Sequence, residues 1–213
     1  MGGAGQTAGL MSSFSPGRRL VLASASPARL RLLVGAGFAP QVIVSGVDEE
    51  GFEAADLTGL VTALAEAKAE AVADRPEAAE AVVVACDSML DVDGSPHGKP
   101  AGAAEARARL QRLRGRSAIL RTGHCLIDTA TGRRASAAAA TEVVFGQFSD
   151  AELDAYVASG EPLHVAGAFT LDGRSAPFVE RIVGDHGNVI GLSLPLFRSL
   201  LADVGLTVMD LWT

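Results

Sequence analysis

Lysine is scarce in this chain of 213 residues, which has 16 arginines but only Lys68 and Lys99. A compact ammonium on a flexible stem is not equivalent to a planar guanidinium, so arginine replaces lysine only where the shape of the cation is unimportant. The two remaining lysines therefore indicate two positions that need a point-like cation. Together with Asp87, in a chain of net charge −7, they suggest a site for phosphate and a metal.

Basic surface, long apolar runs and cysteine motifs are missing as well. The sequence pI near 5.1 argues against a protein that binds nucleic acid or a membrane surface, because both need a basic face. No apolar run approaches the ~18 residues of a membrane span. Cys86 and Cys125 have neither CxxC nor metal-ligand spacing, so we expect reduced thiols in the core. These absences predict a cytoplasmic protein.

The order of apolar and polar segments predicts an α/β protein with one mixed sheet and flanking helices. Residues 1–17 are rich in Gly and Ser, and we expect them to be disordered, with Met11 as an alternative start to Met1. Residues 18–213 then form a single domain with a central cleft between two lobes. We expect strands at 19–23, 41–45, 81–86, 117–128, 133–145, 167–171 and 177–183, and helices at 27 to about 35–37, 56–74, 103–113, 150–159 and 193–204.

Asp87 directly follows the apolar run AVVVAC, and ligands in open α/β sheets bind at the carboxyl ends of strands. The hairpin turn Asp93-Gly94 brings the chain back, so Lys99 returns towards the same strand end. Each residue also has a plain interpretation. Asp87 is then an acidic turn residue, and Lys99 a solvated lysine of a hairpin.

Three other segments carry candidate ligands for phosphate or metal. Lys68 lies on the apolar stripe of a predicted helix, where a cation must either snorkel to solvent or meet an anion. Ser24 and Ser26 form a small-residue turn that opens a helix and offers N–H and O–H groups to a phosphate. Arg29 adds a bidentate contact or faces solvent. The acidic residues 48–50 hold a divalent metal or merely solubilise a loop.

Three familiar hydrolase motifs are absent from the chain. No GxxxxGK[ST] loop, no HExxH helix and no GxSxG elbow is present. A Walker-type phosphate loop, a zinc protease and an α/β-hydrolase serine enzyme are therefore excluded.

Six segments, in this order along the chain, resemble the Maf family of nucleoside triphosphate pyrophosphatases, also known as septum-formation inhibitors. They are LVLASASPARLRLL (20–33), SGVDEE (45–50), LAEAKAEAV (64–72), ACDSML…HGKP (85–100), SGEPLHVAGAF (159–169) and GDHGNVIGLSLPL (184–196). The resemblance implies an elongated α/β fold with two lobes around a deep cleft, similar to inosine-triphosphate pyrophosphatase. It also implies a nucleoside triphosphate substrate, a divalent cation (Mg²⁺, with Mn²⁺ as the alternative) and, by analogy alone, a homodimer.

The resemblance also assigns roles to individual residues. It implies Asp87 as the proton acceptor, Lys68 and Lys99 as the phosphate-site lysines, Glu49 with Asp87 at the metal, Ser24, Ser26, Arg29 and Ser88 at the phosphates, and Asp172 at the base. Ser88 replaces the usual Thr and keeps its hydroxyl. The chain departs from the family at Ala28, Gly102 and Val165, which replace an Arg, an Asp and a Lys.

The residue at position 172 does not decide which base the nucleotide substrate carries. One branch of the family has Gln at this position and prefers dTTP and UTP, whereas a branch with Glu takes 7-methyl-GTP. A carboxylate only accepts hydrogen bonds, which suits the N1–H and N2–H₂ edge of guanine better than the mixed edge of uracil or thymine. Asp172 is alternatively an ordinary residue of an Asp-Gly turn.

The resemblance implies attack of water on the α-phosphorus, with pyrophosphate as the leaving group. Mg²⁺ held by Glu49 and Asp87 would lower the pKa of the water, and Asp87 would accept its proton. Lys68, Lys99 and Arg29 would neutralise developing charge. Two alternatives are a nucleotide-sensing regulator of septum formation with little catalysis, and a phosphatase that releases orthophosphate. The complete set of acidic and basic residues favours the pyrophosphatase.

Overall fold

The computed structural model of the protein describes residues 17–49 and 51–212. The strands are β1 (Arg19–Leu22), β2 (Gln41–Val42), β3 (Ala81–Val92), β4 (Ser95–His97), β5 (Ser117–Asp128), β6 (Arg133–Phe145) and β7 (Val179–Val183). The α-helices are α1 (Pro27–Gly35), α2 (Leu57–Ala73), α3 (Ala103–Leu113), α4 (Asp150–Ala158), α5 (His186–Ile190) and α6 (Leu194–Asp203). The expected disorder of residues 1–17 falls almost entirely outside the described ranges, as does Glu50.

The seven strands form one mixed sheet in the order β2-β1-β3-β5-β6-β7, and β4 pairs with the far end of β3. β1 runs parallel to both of its neighbours, and the remaining pairs are antiparallel. The predicted α/β class with a mixed sheet and flanking helices is confirmed. In the ranges 17–49 and 51–212, every helix is too short or too polar to cross a lipid bilayer.

Alternate residues of β1 and β3 enter two different cores, because successive side chains of a strand point to opposite faces. Even-numbered residues such as Leu22 and Val84 pack with α1 and α6, whereas odd-numbered ones such as Val83 pack with α2. In a third core, Leu90 and Val92 near the end of β3 pack with α3 and α4. The division of the chain into two lobes stays a prediction.

Both cysteines are free thiols in these cores, as the sequence predicts. Burial raises the pKa of Cys86 and of Cys125 to about 12. The two thiols therefore stay protonated and unreactive at neutral pH.

Several segments differ from the expected ones. The strand expected at 81–86 continues to Val92, so Asp87 lies within β3, opposite Gly123, and neither at the end of the strand nor in a turn as expected. β2 ends at Val42, which pairs with Leu22, the last residue of β1. The strand expected at 167–171 is wrong: a 3₁₀ turn covers Ala166–Ala168, and the left-handed Gly167 and Ala168, with φ of 73° and 64°, exclude extended backbone at these two residues. The loop expected at 184–191 contains the short helix α5.

The i, i+4 spacing of Glu105 and Arg109 predicts an ion pair on the outer face of α3. The pair is present, but only Glu105 is exposed. Arg109 pairs with Glu105 as predicted, yet only 5% of Arg109 is exposed. Its Nη1 donates a hydrogen bond to the carbonyl of Gly98 at 2.5 Å. The prediction of an outward arginine is therefore wrong, because this side chain ties α3 to the segment that precedes Lys99.

Candidate active site

A gap in the sheet defines the candidate site. On one edge of β3, β1 pairs with residues 81–84 and β4 pairs with residues 90–92. Residues 85–89 lie between these two neighbours, and Asp87 is at the middle of the gap. The loop after β1 contains Ser24 and Ser26, and the segment after β4 leads back towards the gap. This arrangement places several of the predicted residues around one opening.

Lys68 joins two carboxylates beside this gap. Its Nζ lies 2.6 Å from Oδ1 of Asp87 and 2.7 Å from Oε1 of Glu49. Lys68 and Asp87 are 8% and 6% exposed, so this lysine does not snorkel but meets an anion within the protein. Unpaired, either buried charge would be strongly unfavourable. The predicted anionic partner of Lys68 is thus present.

The close packing of α2 on β5 brings Lys68 to this position. A Cβ on Gly123 of β5 would lie 2.1 Å from the backbone oxygen of Val61 in α2, so only glycine allows this contact. The N-cap Asp56 accepts a hydrogen bond from Gly59 and fixes where the helix begins. The buried stripe of α2 then carries Lys68 onto the face of β3 from which Asp87 projects.

Ser24, Ser26 and Arg29 form a connected turn on the other side of the gap. Ser26 caps α1 by accepting a hydrogen bond from the N–H of Arg29. The guanidinium of Arg29 donates to Oγ of Ser24 at 3.1 Å and to Oγ of Ser88 at 3.0 Å. Its Nε donates to the carbonyl of Gly191 at 2.8 Å. Arg29 therefore does not face bulk solvent as a free side chain.

Lys99 is exposed and has no hydrogen bond or ion pair with any of the described residues. The carbonyl of the preceding Gly98 accepts hydrogen bonds from Arg109 and from the N–H of Gly167. The backbone beside Lys99 is thus fixed, while its ammonium stays available. The structure does not bring Lys99 into contact with Asp87.

Asp172 lies apart from the carboxylate cluster, at a cavity of about 380 Å³. Its Oδ2 accepts a hydrogen bond from Arg31 of α1 at 2.9 Å, in a pair that is largely exposed to solvent. Ala28 and Ile190 also line this cavity, and each directly precedes a residue of the Arg29–Gly191 contact. The cavity therefore adjoins the turn that contains Ser24 and Ser26. Its volume is in the range typical of small-molecule sites.

The carboxylates of Glu49 and Asp87 are the groups that would hold a divalent cation. Oδ2 of Asp87 is buried and has no hydrogen-bond partner among the described residues, so it has an open acceptor position. In the described ranges, no three His, Cys, Asp or Glu side chains cluster as a metal site. This donor set fits Mg²⁺, which is commonly bound by one or two carboxylates together with substrate phosphates and waters.

Residues 19–204 of the chain match the family model described as Maf-like protein. The chain belongs to the Maf family.

Three curated relatives, each named nucleoside triphosphate pyrophosphatase, extend this assignment. The protein from Streptomyces coelicolor is 64% identical over 92% of this chain and 96% of its own length. The Salinispora tropica protein is 54% identical over 92% and 88%. The Gloeothece citriformis protein is 49% identical over 90% and 97%.

A solved dITP/XTP pyrophosphatase from Mycobacterium abscessus is 18% identical to this Maf-family chain. The match covers 61% of this chain and 75% of that one, with a TM-score of 0.37. This similarity is too low to establish a shared fold, and the expected likeness to inosine-triphosphate pyrophosphatase stays a prediction.

Several residues in and around the candidate site were not predicted from the sequence. They are Arg109, Thr122, His124, Asn188 and Gly191. Thr122 and His124 are polar residues within an apolar strand, which is the one signal that distinguishes them in the sequence.

His124 is fully buried behind the gap, in a neutral form. Its Nε2 accepts a hydrogen bond from the N–H of Ser193 at 2.8 Å, so Nδ1 carries the proton and donates to the carbonyl of Thr122. Burial lowers the pKa of His124 from 6.5 to about 4. Between about pH 4 and 6.5, His124 therefore binds a proton in the unfolded chain but stays neutral in the folded protein.

We expect the free energy of unfolding to fall as the pH is lowered from about 6.5 to 4, by roughly 3 kcal/mol from this histidine alone. Above pH 6.5 both states are neutral at this position, and the full stability is present. Urea denaturation across pH 4 to 7 measures the slope. His124→Gln should flatten the slope, whereas His164→Gln, at an exposed histidine, should leave it unchanged. An unchanged slope in His124→Gln would contradict the assignment.

Proposed function

We propose that this protein hydrolyses a nucleoside triphosphate to the monophosphate and pyrophosphate at the gap beside β3. The observation that carries the proposal is the buried Lys68 between the carboxylates of Glu49 and Asp87. Its curated relatives named nucleoside triphosphate pyrophosphatase, at up to 64% identity, support the same reaction. The cytoplasmic location and the homodimer stay predictions.

Asp87 is the proton acceptor in this proposal. Its Oδ1 is occupied by Lys68, whereas the unpartnered Oδ2 is free to accept a proton from a water molecule that attacks the α-phosphorus. The ammonium of Lys68 is hydrogen-bonded to this base at 2.6 Å. Lys68 thereby holds the base in one orientation.

The cations around the gap bind the phosphates. Among the described residues, the ammonium of Lys99 has no partner, and Arg29 uses three of its five N–H groups, so two remain for phosphate oxygens. These groups stabilise the charge that develops on the leaving pyrophosphate. A divalent cation held by Glu49 and Asp87 would further neutralise the phosphate oxygens.

The cavity beside Arg31 and Asp172 takes the base. Asp172 alone only accepts hydrogen bonds, but its partner Arg31 supplies donors at the same place. A donor beside an acceptor is complementary to a carbonyl beside a ring N–H, the edge that uracil, thymine and guanine share, with or without a 7-methyl group on guanine. We therefore propose UTP, dTTP and 7-methyl-GTP as the substrate classes, in preference to CTP and ATP.

The proposal is tested with a panel of nucleotides in the presence of Mg²⁺. UTP, dTTP, CTP, ATP, GTP and 7-methyl-GTP are compared, with separate detection of pyrophosphate and orthophosphate. We expect pyrophosphate from one or more of the three proposed substrates. Release of orthophosphate instead would indicate a phosphatase. Nucleotide binding without release of either product would favour a nucleotide sensor.

For the best substrate of this panel, Asp172→Ala is expected to lower kcat/KM about tenfold, as for loss of one hydrogen bond to the base. The kcat/KM for CTP should fall less, so that the ratio of kcat/KM between the best substrate and CTP becomes smaller. Asp154→Ala is the control, since Asp154 is also exposed and paired with an arginine, Arg107. If this ratio is the same in Asp172→Ala and in the unmodified protein, Asp172 does not contact the base and is only part of a surface ion pair.

A further inference from the structure

We propose that Thr122 is a positioning residue of the phosphate site, which acts through Ser88 on Arg29. The proposal rests on the function proposed above. Thr122 is fully buried in β5, directly opposite Ser88 of β3. A valine would fit this place in an apolar strand equally well, so the hydroxyl requires a reason of its own.

The hydrogen bonds around Thr122 form a closed ring that begins and ends at Arg29. Nη2 of Arg29 contacts Oγ of Ser88 at 3.0 Å, and Ser88 contacts Oγ1 of Thr122 at 2.9 Å. Thr122 contacts the carbonyl of Asn188 at 3.0 Å, which also accepts from the N–H of Gly191. The carbonyl of Gly191 accepts from Nε of Arg29 and closes the ring.

The hydroxyl protons of Thr122 and Ser88 can each be assigned to a single acceptor. The carbonyl of Asn188 is an acceptor, so Thr122 must donate its hydroxyl proton there. Ser88 must then donate its own proton to Thr122, and its remaining capacity is as an acceptor for Arg29. A ring in which each hydroxyl proton has one acceptor holds the guanidinium in one orientation.

This assignment changes the role expected for Ser88. With its proton donated to Thr122, Ser88 presents no O–H to a phosphate oxygen while the ring is intact. Ser24 differs, since its Oγ accepts from Arg29 and from the N–H of Ser26, and its own proton has no acceptor among the described residues. We therefore infer that Ser24 donates to the phosphates, whereas Ser88 orients Arg29.

The far side of the ring is rigid. The side chain of Asn188 donates to the carbonyl of Leu120 and to Oγ1 of Thr141, both at 3.1 Å. Asp185 caps α5 by accepting from the N–H groups of Gly187 and Asn188. The carbonyls of Asn188 and Gly191, to which Thr122 and Arg29 donate, are therefore held in place. The hydrogen bond from Ser88 to Thr122 then orients Ser88 relative to them.

The test compares Thr122→Val, which removes the hydroxyl at constant shape, with Thr122→Ser, which keeps it. We expect Thr122→Val to raise KM and lower kcat/KM about tenfold, as for loss of one buried hydrogen bond. Thr122→Ser should stay within about threefold of the unmodified protein. Thr129→Val is the matched control, because Thr129 donates to backbone carbonyls away from the gap. It should lower the unfolding midpoint without changing KM.

A double-mutant cycle with Arg29→Ala separates positioning from structural damage. If Thr122 acts through Arg29, Thr122→Val has less than about a twofold effect on kcat/KM in the Arg29→Ala background. An equal effect in both backgrounds would overturn the proposal. So would an unchanged KM in Thr122→Val.

The same cycle is measured on the dissociation constant of inorganic pyrophosphate by calorimetry. This readout does not depend on turnover, so it also decides the role of Thr122 when a variant is inactive. Failure of the unmodified protein to release pyrophosphate from any nucleotide would refute the proposed function. A loss of pyrophosphate affinity in Thr122→Val that disappears in the Arg29→Ala background would still support the ring.

Discussion

Asp87→Asn is expected to lower kcat by about three orders of magnitude, which is within the range for loss of a general base. Asparagine has the same shape and keeps an acceptor for Nζ of Lys68, so the fold and the contact at Oδ1 are retained. The unpartnered Oδ2 is replaced by an amide that cannot accept a proton from water. Steady-state kinetics with the best nucleotide measures the loss, and circular dichroism checks the fold.

Asp91→Asn is the matched control for this substitution. Asp91 lies on the same strand, pairs with Arg121 and accepts from the N–H of Gly94, away from the gap. We expect its kcat to stay within about threefold of the unmodified protein, as is usual for a surface-type ion pair. If Asp87→Asn kept more than a tenth of the kcat, Asp87 would not be the proton acceptor.

Local patterns in the sequence predict the helix that carries Lys68 and the strand that carries Asp87. The 3.6-residue period places Lys68 on the buried stripe of its helix, and the apolar run before Asp87 identifies a central strand. The turn at Asp93-Gly94 has φ of 55° and 81°, as a two-residue hairpin requires. In each case, neighbours within a few residues determine the structure.

The remaining parts of the site depend on contacts between distant segments, and local patterns do not contain them. The gap at residues 85–89 exists because β1 stops at Leu22, opposite Val84, and β4 ends at His97, opposite Leu90. The ring through Thr122 and Gly191 needs the register of three segments that are far apart in sequence. Arg109 was expected on the outer face because the helical period does not show that the segment containing Gly98 covers this side chain.

Lys68→Met is expected to lower the free energy of unfolding by about 3 kcal/mol, in the range measured when one partner of a buried ion pair is removed. Methionine fills a similar volume, so the loss comes from the charge and not from a cavity. Asp87 would then be 6% exposed with no cation beside it among the described residues. Urea denaturation at neutral pH measures the change.

The double variant Lys68→Met with Asp87→Asn separates this charge effect from a packing effect. It has neither buried charge, so we expect it to regain about 2 kcal/mol of the stability lost in Lys68→Met. A double variant no more stable than Lys68→Met would show that Lys68 contributes by packing alone.

Lys68→Arg tests why lysine persists at this position in a chain that otherwise uses arginine. Nζ is 2.6 Å and 2.7 Å from two carboxylates on different segments, and a single compact ammonium satisfies both. A guanidinium is larger, and its planar fork would push Glu49 and Asp87 apart. We therefore expect Lys68→Arg to keep the positive charge yet lower kcat/KM about a hundredfold, because the orientation of Asp87 is lost. Full activity in Lys68→Arg would mean that charge alone matters here, and that the scarcity of lysine carries no information about this site.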